Sequence, residues 1–268
     1  MYAHRFAQQF IPKVVNLISM QKTVELEYFG LSDIGMVRTR NEDFWQVNLD
    51  SRVVAIADGM GGRLGGEVAS YEAVVRLIEM INAYHENLED LEDEKYKEAL
   101  QMILSKVNGL IYEHSLVEAH LRGMGTTLSF MHFLQNKAWL FHIGDSRIYR
   151  LRNGVLSCLT EDHSLENRLK NRYKLPKQSD KMYSYRHILT NVLGSRPYIV
   201  PDIREITYEK EDLYVLCSDG LTNMVSDADI REILTQPSTL EESSNILISL
   251  ANSRGGSDNV TVVLVRVQ

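Results

Sequence analysis

The 268-residue sequence predicts an α+β fold, antiparallel sheets with helices packed outside them. Two observations carry this expectation. Short runs rich in β-branched and aromatic residues outnumber helical stretches, and several are joined by hairpin-length connections. The helical stretches come in pairs that interrupt the strands instead of alternating with them, which disfavours a doubly wound parallel sheet. No internal repeat and no Pro/Ser-rich linker divides the chain, so residues 24–268 read as one domain behind an N-terminal extension, residues 1–23.

Strand-like runs open the domain at 24–31, 44–49 and 52–57. A glycine-dense loop leads to a helix over about 67–85, with Ala73, Val74, Leu77, Ile78 and Ile81 at the spacing of one buried stripe. The acidic stretch 86–94 reads as a solvated turn. A second helix follows, with Tyr96, Leu100, Ile103, Val107, Leu110 and Ile111 on one face. Strands are expected at 127–133, 137–143, 147–151 and 155–159, the last two joined through Asn153-Gly154, a pair suited to the positive φ angles of a tight hairpin. The polar, basic segment 162–187 has weak periodicity and reads as a loop or flap. Strands at 202–208 and 212–217, helices at 228–234 and 240–251, and a strand at 260–267 complete the chain.

Composition narrows the function classes. Hydrophobic residues at 44% and charged residues at 24% suit a soluble globular protein. A net charge of -7 argues against broad nucleic-acid binding, which needs a basic face. No apolar run approaches the ~20 residues needed to span a bilayer. Cys158 and Cys217 sit singly in apolar runs and form no CxxC pair, which suggests structural thiols in a reducing, cytoplasmic setting. In the extension, Phe6, Phe10, Val14, Leu17 and Ile18 recur at helical spacing among Arg5, Lys13 and Lys22. A transit peptide reads this way, but Pro12 interrupts the pattern and serines are scarce. The expectation is a helix that packs on the domain or docks a partner, with membrane-surface binding as the alternative.

The informative pattern is aspartate at the mouth of apolar runs. The run 53–57 ends in Asp58-Gly59, 139–143 in Gly144-Asp145-Ser146, and 213–217 in Ser218-Asp219-Gly220, while Gly255-Gly256-Ser257-Asp258-Asn259 leads into the last strand. Singly, each is an ordinary turn signal. Together they imply carboxylates converging on one rim, where mutual repulsion calls for cations. Oxygen ligands without His or Cys select hard ions, magnesium or manganese and not zinc. The loop from Gly59 to Gly66 fits neither nucleotide template, because no Gly-Lys-Ser/Thr follows and Leu64 occupies the third glycine position of a dinucleotide fingerprint. Its glycines read as backbone close approach, leaving the Gly59 carbonyl free to face a metal.

Six segments then occur in order: Arg38-Thr39-Arg40-Asn41-Glu42-Asp43, Asp58-Gly59-Met60-Gly61-Gly62, Gly123-Met124-Gly125-Thr126-Thr127, His142-Ile143-Gly144-Asp145-Ser146-Arg147, Ser218-Asp219-Gly220-Leu221 and Gly256-Ser257-Asp258-Asn259-Val260-Thr261. The chain thereby resembles the type 2C metal-dependent protein serine/threonine phosphatases, in their bacterial branch, from about Ser32 to Val267. The resemblance implies a four-layer α-β-β-α sandwich of two antiparallel sheets flanked by helix pairs. It implies that Asp58 bridges two Mg2+ or Mn2+ ions, that Asp219 and Asp258 complete the first site, and that the Gly59 carbonyl serves the second. Asp145, with Asp219, would hold a third, weaker ion. Arg38 would clamp the substrate phosphate, Glu42 and Asp43 would lie near the metal-bound waters, and Asn259 would support the ligands. Arg63 departs from the histidine or small residue of many bacterial relatives, and reads as solvated or as a substrate contact.

The implied activity is hydrolysis of phosphoserine and phosphothreonine in proteins, reversing a cognate kinase, by a hydroxide held between two cations. Arg38 suits the clamp because its planar fork matches two phosphate oxygens. Intact Asp58, Asp219 and Asp258 speak against a pseudophosphatase; an enzyme acting on small phosphoesters stays open. His163 reads as a turn-stabilising residue or a proton donor. The basic residues Arg168, Lys170, Arg172, Lys174, Lys177, Lys181 and Arg186 form either a solvated loop or an electrostatic selector for acidic phosphosites.

Overall fold

The computed structural model describes residues 24–61, 64–89, 91–174, 185 and 187–268. The N-terminal extension therefore lies outside the described residues, as do Gly62, Arg63, Lys177, Lys181 and Arg186.

Two antiparallel sheets face each other. One joins β1 (Leu26–Asp33), β11 (Val260–Val267), β10 (Leu213–Cys217), β7 (Arg147–Arg152) and β8 (Val155–Cys158) in that order. The other joins β2 (Asp43–Asn48), β3 (Val53–Met60), β5 (Leu128–Phe133), β6 (Ala138–Ile143) and β9 (Asp202–Ile206), with the short β4 (Gly125–Thr126) on the far end of β3. Strand periodicity explains the layering. Val54 and Ile56 point between the sheets, where they meet Ile148, Tyr214, Leu216, Val263 and Val265. Val53, Ala55 and Ala57, on the opposite face, pack beneath α1 (Gly65–Glu89) and α2 (Asp93–Val117). In β11, Val260, Val262 and Leu264 pack instead toward α5 (Asp227–Thr235) and α6 (Leu240–Ser253). Strands covered on both faces need apolar residues at every position, which is why these runs show no alternation.

The four layers are thus helices, sheet, sheet, helices, as expected. The Asn153-Gly154 turn has φ of 50° and 74°, the left-handed pair that a two-residue hairpin requires. Helices α5 and α6 begin with capping boxes, Ser226 with Asp229 and Thr239 with Glu242. Two local readings are corrected. The acidic stretch is not one turn, because residues 86–89 close α1 and residues 93–94 open α2. Acidic side chains in the first turn of α2 favour the helix through its dipole. The basic segment contains a helix, α3 (Leu165–Tyr173), started by the Ser164 hydroxyl accepting from the Asn167 N–H at 3.2 Å. It has no buried residue, so no apolar stripe announced it. A one-turn helix, α4 (Asp219–Thr222), also follows β10.

At the end of the sandwich away from the aspartate motifs, the buried Asp212 carboxylate accepts from Arg152 at 2.6 and 2.5 Å, from the Glu209 N–H at 2.9 Å and from Tyr214 at 3.1 Å. Burial alone would raise this carboxyl, but the Arg152 and backbone hydrogen bonds hold it below the ordinary range. A depressed native pKa means the stabilisation is full at neutral pH and disappears as pH falls through and below the ordinary carboxylate value of about 3.9. Asp212→Ala leaves Arg152 with Glu209 and the Thr207 carbonyl but removes the buried acceptor of four hydrogen bonds, and should cost about 2 kcal/mol in urea unfolding at pH 7. That difference should shrink when the same measurement is made below pH 4.

Candidate active site

The site forms where the two sheets meet at one rim. In the β2–β3 ladder Asp43 stands directly opposite Asp58, so two carboxylates become cross-strand neighbours. Asp219 follows β10 and Asp258 precedes β11, both in the other sheet, while Asp145 lies on the connection from β6 to β7 that crosses between sheets. Asp43 joins the sheets here. Its Oδ2 accepts from Ser218 and from Thr261, each at 2.7 Å, and its Oδ1 is buried without a hydrogen-bond partner. Sequence reasoning placed Asp43 near the site but gave no role to Ser218 or Thr261, although both lie inside the quoted motifs.

Close backbone approach locks the rim. A Cβ on Gly59 would sit 2.0 Å from the Gly66 carbonyl oxygen and 2.7 Å from that of Glu42. Glycine is therefore required where the end of β3 meets the start of α1 and the Glu42 backbone, whose carbonyl accepts the Gly59 N–H at 3.0 Å. Asp58-Gly59 is not a turn; the strand continues to Met60.

The loop carrying Arg38 is pinned to the start of β11. Asn259 donates its side-chain amide to the carbonyls of Ile34 and Arg40 at 3.0 and 2.8 Å and accepts the Glu42 N–H at 2.8 Å. The Met36 N–H reaches the Gly256 carbonyl at 2.8 Å. Arg38, half-exposed, pairs with Asp258 at 2.8 Å, and this hydrogen bond is the main reason its guanidinium holds its proton more tightly than usual. Beside it opens a cleft of about 580 Å³ lined by Arg38, Thr39, Arg40, Glu42, Gly61 and Leu64. On the other flank, the Asp58 N–H donates to Thr127 Oγ1 at 2.8 Å, and that hydroxyl pairs with Ser146 at 2.7 Å, next to Asp145.

Electrostatics mark the rim. Asp58 is pushed well above the ordinary carboxylate range, first by desolvation and then by Asp43, Asp219, Asp145 and Asp258. Desolvation likewise raises Asp43, Asp145 and Asp219, with neighbouring carboxylates adding to each. Glu42 is raised by burial as well. Aspartates so close and so desolvated must either take up protons or share cations. The donors are carboxylate oxygens, without His or Cys, which is the chemistry of a magnesium or manganese site. The unpartnered Asp43 Oδ1 adds an acceptor with nothing to accept from. As the side chains stand, no group of three or more His, Cys, Asp or Glu among the described residues is arranged to hold an ion. Competing hydrogen bonds account for part of this, since Asp258 is engaged by Arg38 and by the Asn259 N–H, and Asp219 by Asn223 at 2.9 Å. The donor set fits hard divalent cations in kind.

Residues 37–251 match the family model described as Protein phosphatase 2C. The chain belongs to the protein phosphatase 2C family. It is 40% identical over 237 residues to the serine/threonine phosphatase Stp of Listeria monocytogenes serotype 4b, a match covering 87% of this chain and 93% of that one. It is 36% identical over 244 residues to the protein phosphatase PhpP of Streptococcus pneumoniae, covering 90% and 97%. Among solved structures, the catalytic domain of the phosphatase PstP in complex with two manganese ions superposes with a TM-score of 0.77 at 36% identity, covering 91% of this chain and 99% of that one. The protein is thus a bacterial protein phosphatase 2C, and its activity is metal-dependent dephosphorylation of serine and threonine in proteins. None of its described helices is long and apolar enough to cross a membrane.

Asn259 is the common anchor of the family's Arg38 loop in this chain. Asn259→Ala leaves the Glu42 N–H and two carbonyls without partners and should cost about 2 kcal/mol in chemical denaturation. Hydrogen exchange should accelerate in a peptide spanning 34–42 but not in one spanning 213–217.

Proposed function

We propose that this phosphatase works with magnesium or manganese held by Asp58, Asp219 and Asp258, with the Gly59 carbonyl on a second ion and Asp145, beside Asp219, on a third. The observation that supports this is the convergence of carboxylates from both sheets on one desolvated rim. Such ions, when bound, acidify water for in-line attack on phosphorus and neutralise charge on the phosphoryl oxygens.

The chain's own residues set the geometry. Arg38, carried on the loop that Asn259 pins, borders the open cleft and presents a planar fork to two phosphate oxygens. Asp43 holds Ser218 and Thr261 together, so the strands bearing Asp219 and Asp258 keep a fixed spacing against Asp58. Glu42 lines the cleft, where it can hydrogen-bond water near the phosphate. No Cys or His nucleophile is needed, and the thiol of Cys217 lies in the apolar core with its pKa pushed up by burial. Phosphoproteins made by a cognate Ser/Thr kinase in the cytoplasm are the proposed substrates, and the N-terminal extension is proposed to dock a partner.

Activity on a phosphopeptide should require Mn2+ or Mg2+ and vanish with a chelator. Asp58→Asn, Asp219→Asn and Asp258→Asn should each lower kcat by roughly 100-fold or more, the scale of losing a charge-stabilising group, while circular dichroism stays native. Full activity in any folded variant with controlled metal would refute the assignment. Arg38→Ala should lower kcat/KM on the order of 100-fold, and Arg38→Lys should recover little because an ammonium lacks the fork. Comparing phosphopeptide with nucleotide and sugar phosphates tests the substrate class.

A further inference from the structure

Two consecutive residues after β8, Asp162 and His163, grip the Asp145 loop from both sides. The Asp162 carboxylate receives Arg147 Nε at 2.8 Å and a terminal guanidinium nitrogen at 2.7 Å, a bidentate pair of the strong, orienting kind. The His163 N–H donates to the Gly144 carbonyl at 2.7 Å, and the Gly144 N–H donates back to His163 Nδ1 at 3.3 Å. Gly144 immediately precedes Asp145, and Arg147 follows it by two. The imidazole is oriented as well. Nδ1 accepts from Gly144 and faces the Asn191 amide at 3.3 Å, which places its proton on Nε2, turned toward Asp202 at 3.6 Å.

The same two residues root the segment that contains α3. The Asp162 carbonyl accepts the Asn167 side chain at 3.0 Å, and Thr190 donates both its N–H and its hydroxyl to the His163 carbonyl at 2.7 and 3.0 Å. Outgoing and returning chain therefore meet at His163. Asp58 is held by β2 and by Thr126 and Thr127, whose hydroxyls bond its carbonyl and its N–H. The Thr127 hydroxyl also pairs with Ser146 at 2.7 Å, a link between Asp58 and the Asp145 loop that does not pass through Asp162 or His163.

We propose that Asp162 and His163 are positioning residues that set where Asp145 stands relative to Asp58, and that they transmit the placement of the α3 segment to it. The inference rests on the role proposed above for Asp145. A loop held at both flanks leaves its carboxylate few orientations, whereas removing one grip frees the loop without removing any group that touches substrate.

The test uses the full chain loaded with Mn2+, a phosphopeptide substrate, and His163→Leu, His163→Asn, Asp162→Asn and Asp145→Ala variants. His163→Leu and Asp162→Asn should each lower kcat about 10-fold, the size of effect typical of groups that orient a ligand, with KM nearly unchanged. His163→Asn, whose amide oxygen stands where Nδ1 stood and can still accept from Gly144, should recover most of that loss. Without metal or substrate, hydrogen exchange in a peptide spanning 144–147 should speed at least about 10-fold in His163→Leu, while a peptide spanning 54–60 keeps its wild-type rate. In an Asp145→Ala background neither substitution should add a further loss, because coupled residues are not additive. The inference is overturned if the losses multiply with that of Asp145→Ala, if both peptides loosen together, or if exchange over 144–147 is unchanged. Asp145→Ala with full turnover would remove the role of Asp145 and this inference with it; a reduced turnover with multiplying losses would remove this inference alone.

Discussion

Concentrating desolvated carboxylates on one rim is the constraint to which the rest of this fold answers. Each aspartate raises the cost of ionising its neighbours, and no apolar contact offsets that repulsion locally. The stability that tolerates it is gathered elsewhere, in the dry layer between the sheets and in the two helix-covered faces. Two features hold the rim in spite of the repulsion. Asp43 ties the sheets together through Ser218 and Thr261, and Asn259 ties the Arg38 loop to the start of β11. Both devices use hydrogen bonds because only polar partners can hold polar chain at a place that must stay open to water and phosphate.

The division of labour follows from strand geometry. In β3 the residues preceding Asp58 alternate between the helix-facing core, where Ala55 and Ala57 are small, and the inter-sheet core, where Val54 and Ile56 are large, so a slip by one residue would overpack one face and leave voids on the other. Asp58 inherits that fixed register. Its partner Asp43 inherits the same register from β2, and Asp258 stands two residues before the doubly buried β11. The rim carboxylates thus sit at the ends of the best-determined strands, which is where positional precision is available without sacrificing access. The helices of α1, α2, α5 and α6 contribute no aspartate to the rim; they cover the sheets that do.

The sequence made the architecture legible wherever apolar runs or helical stripes were long, as in β3, β10, β11, α1 and α2. It also made the rim legible, because Asp58, Asp145, Asp219 and Asp258 all follow or precede such runs. What it concealed has a common physical cause. The inter-sheet role of Asp43 depends on residues more than 170 positions away, and a serine in a motif does not announce its partner. The helix α3 has no fully buried residue and carries no apolar stripe, so only its capping serine signals it. The acidic stretch reads as a turn because charge density signals solvation, whereas Asp93 and Glu94 within it favour the start of α2.

The basic segment shows how far a count of charges falls short of an electrostatic argument. Helix formation places Glu166 and Lys170 one turn apart, and they pair at 2.6 Å with both side chains largely covered. Arg172 lies over the ring of Tyr173. Lys170 is therefore partly neutralised within its own helix, and a selector for acidic phosphosites would have to work through the remaining cations at longer range, where salt screens over about 10 Å at 0.1 M. Among the described residues, this segment meets the rim at its root, where Asp162 neutralises Arg147 and His163 takes up the ends of two loops. Its proposed influence on the rim runs through that root, by a short bidentate ion pair and by backbone hydrogen bonds of His163, contacts that depend on geometry and not on a long-range field.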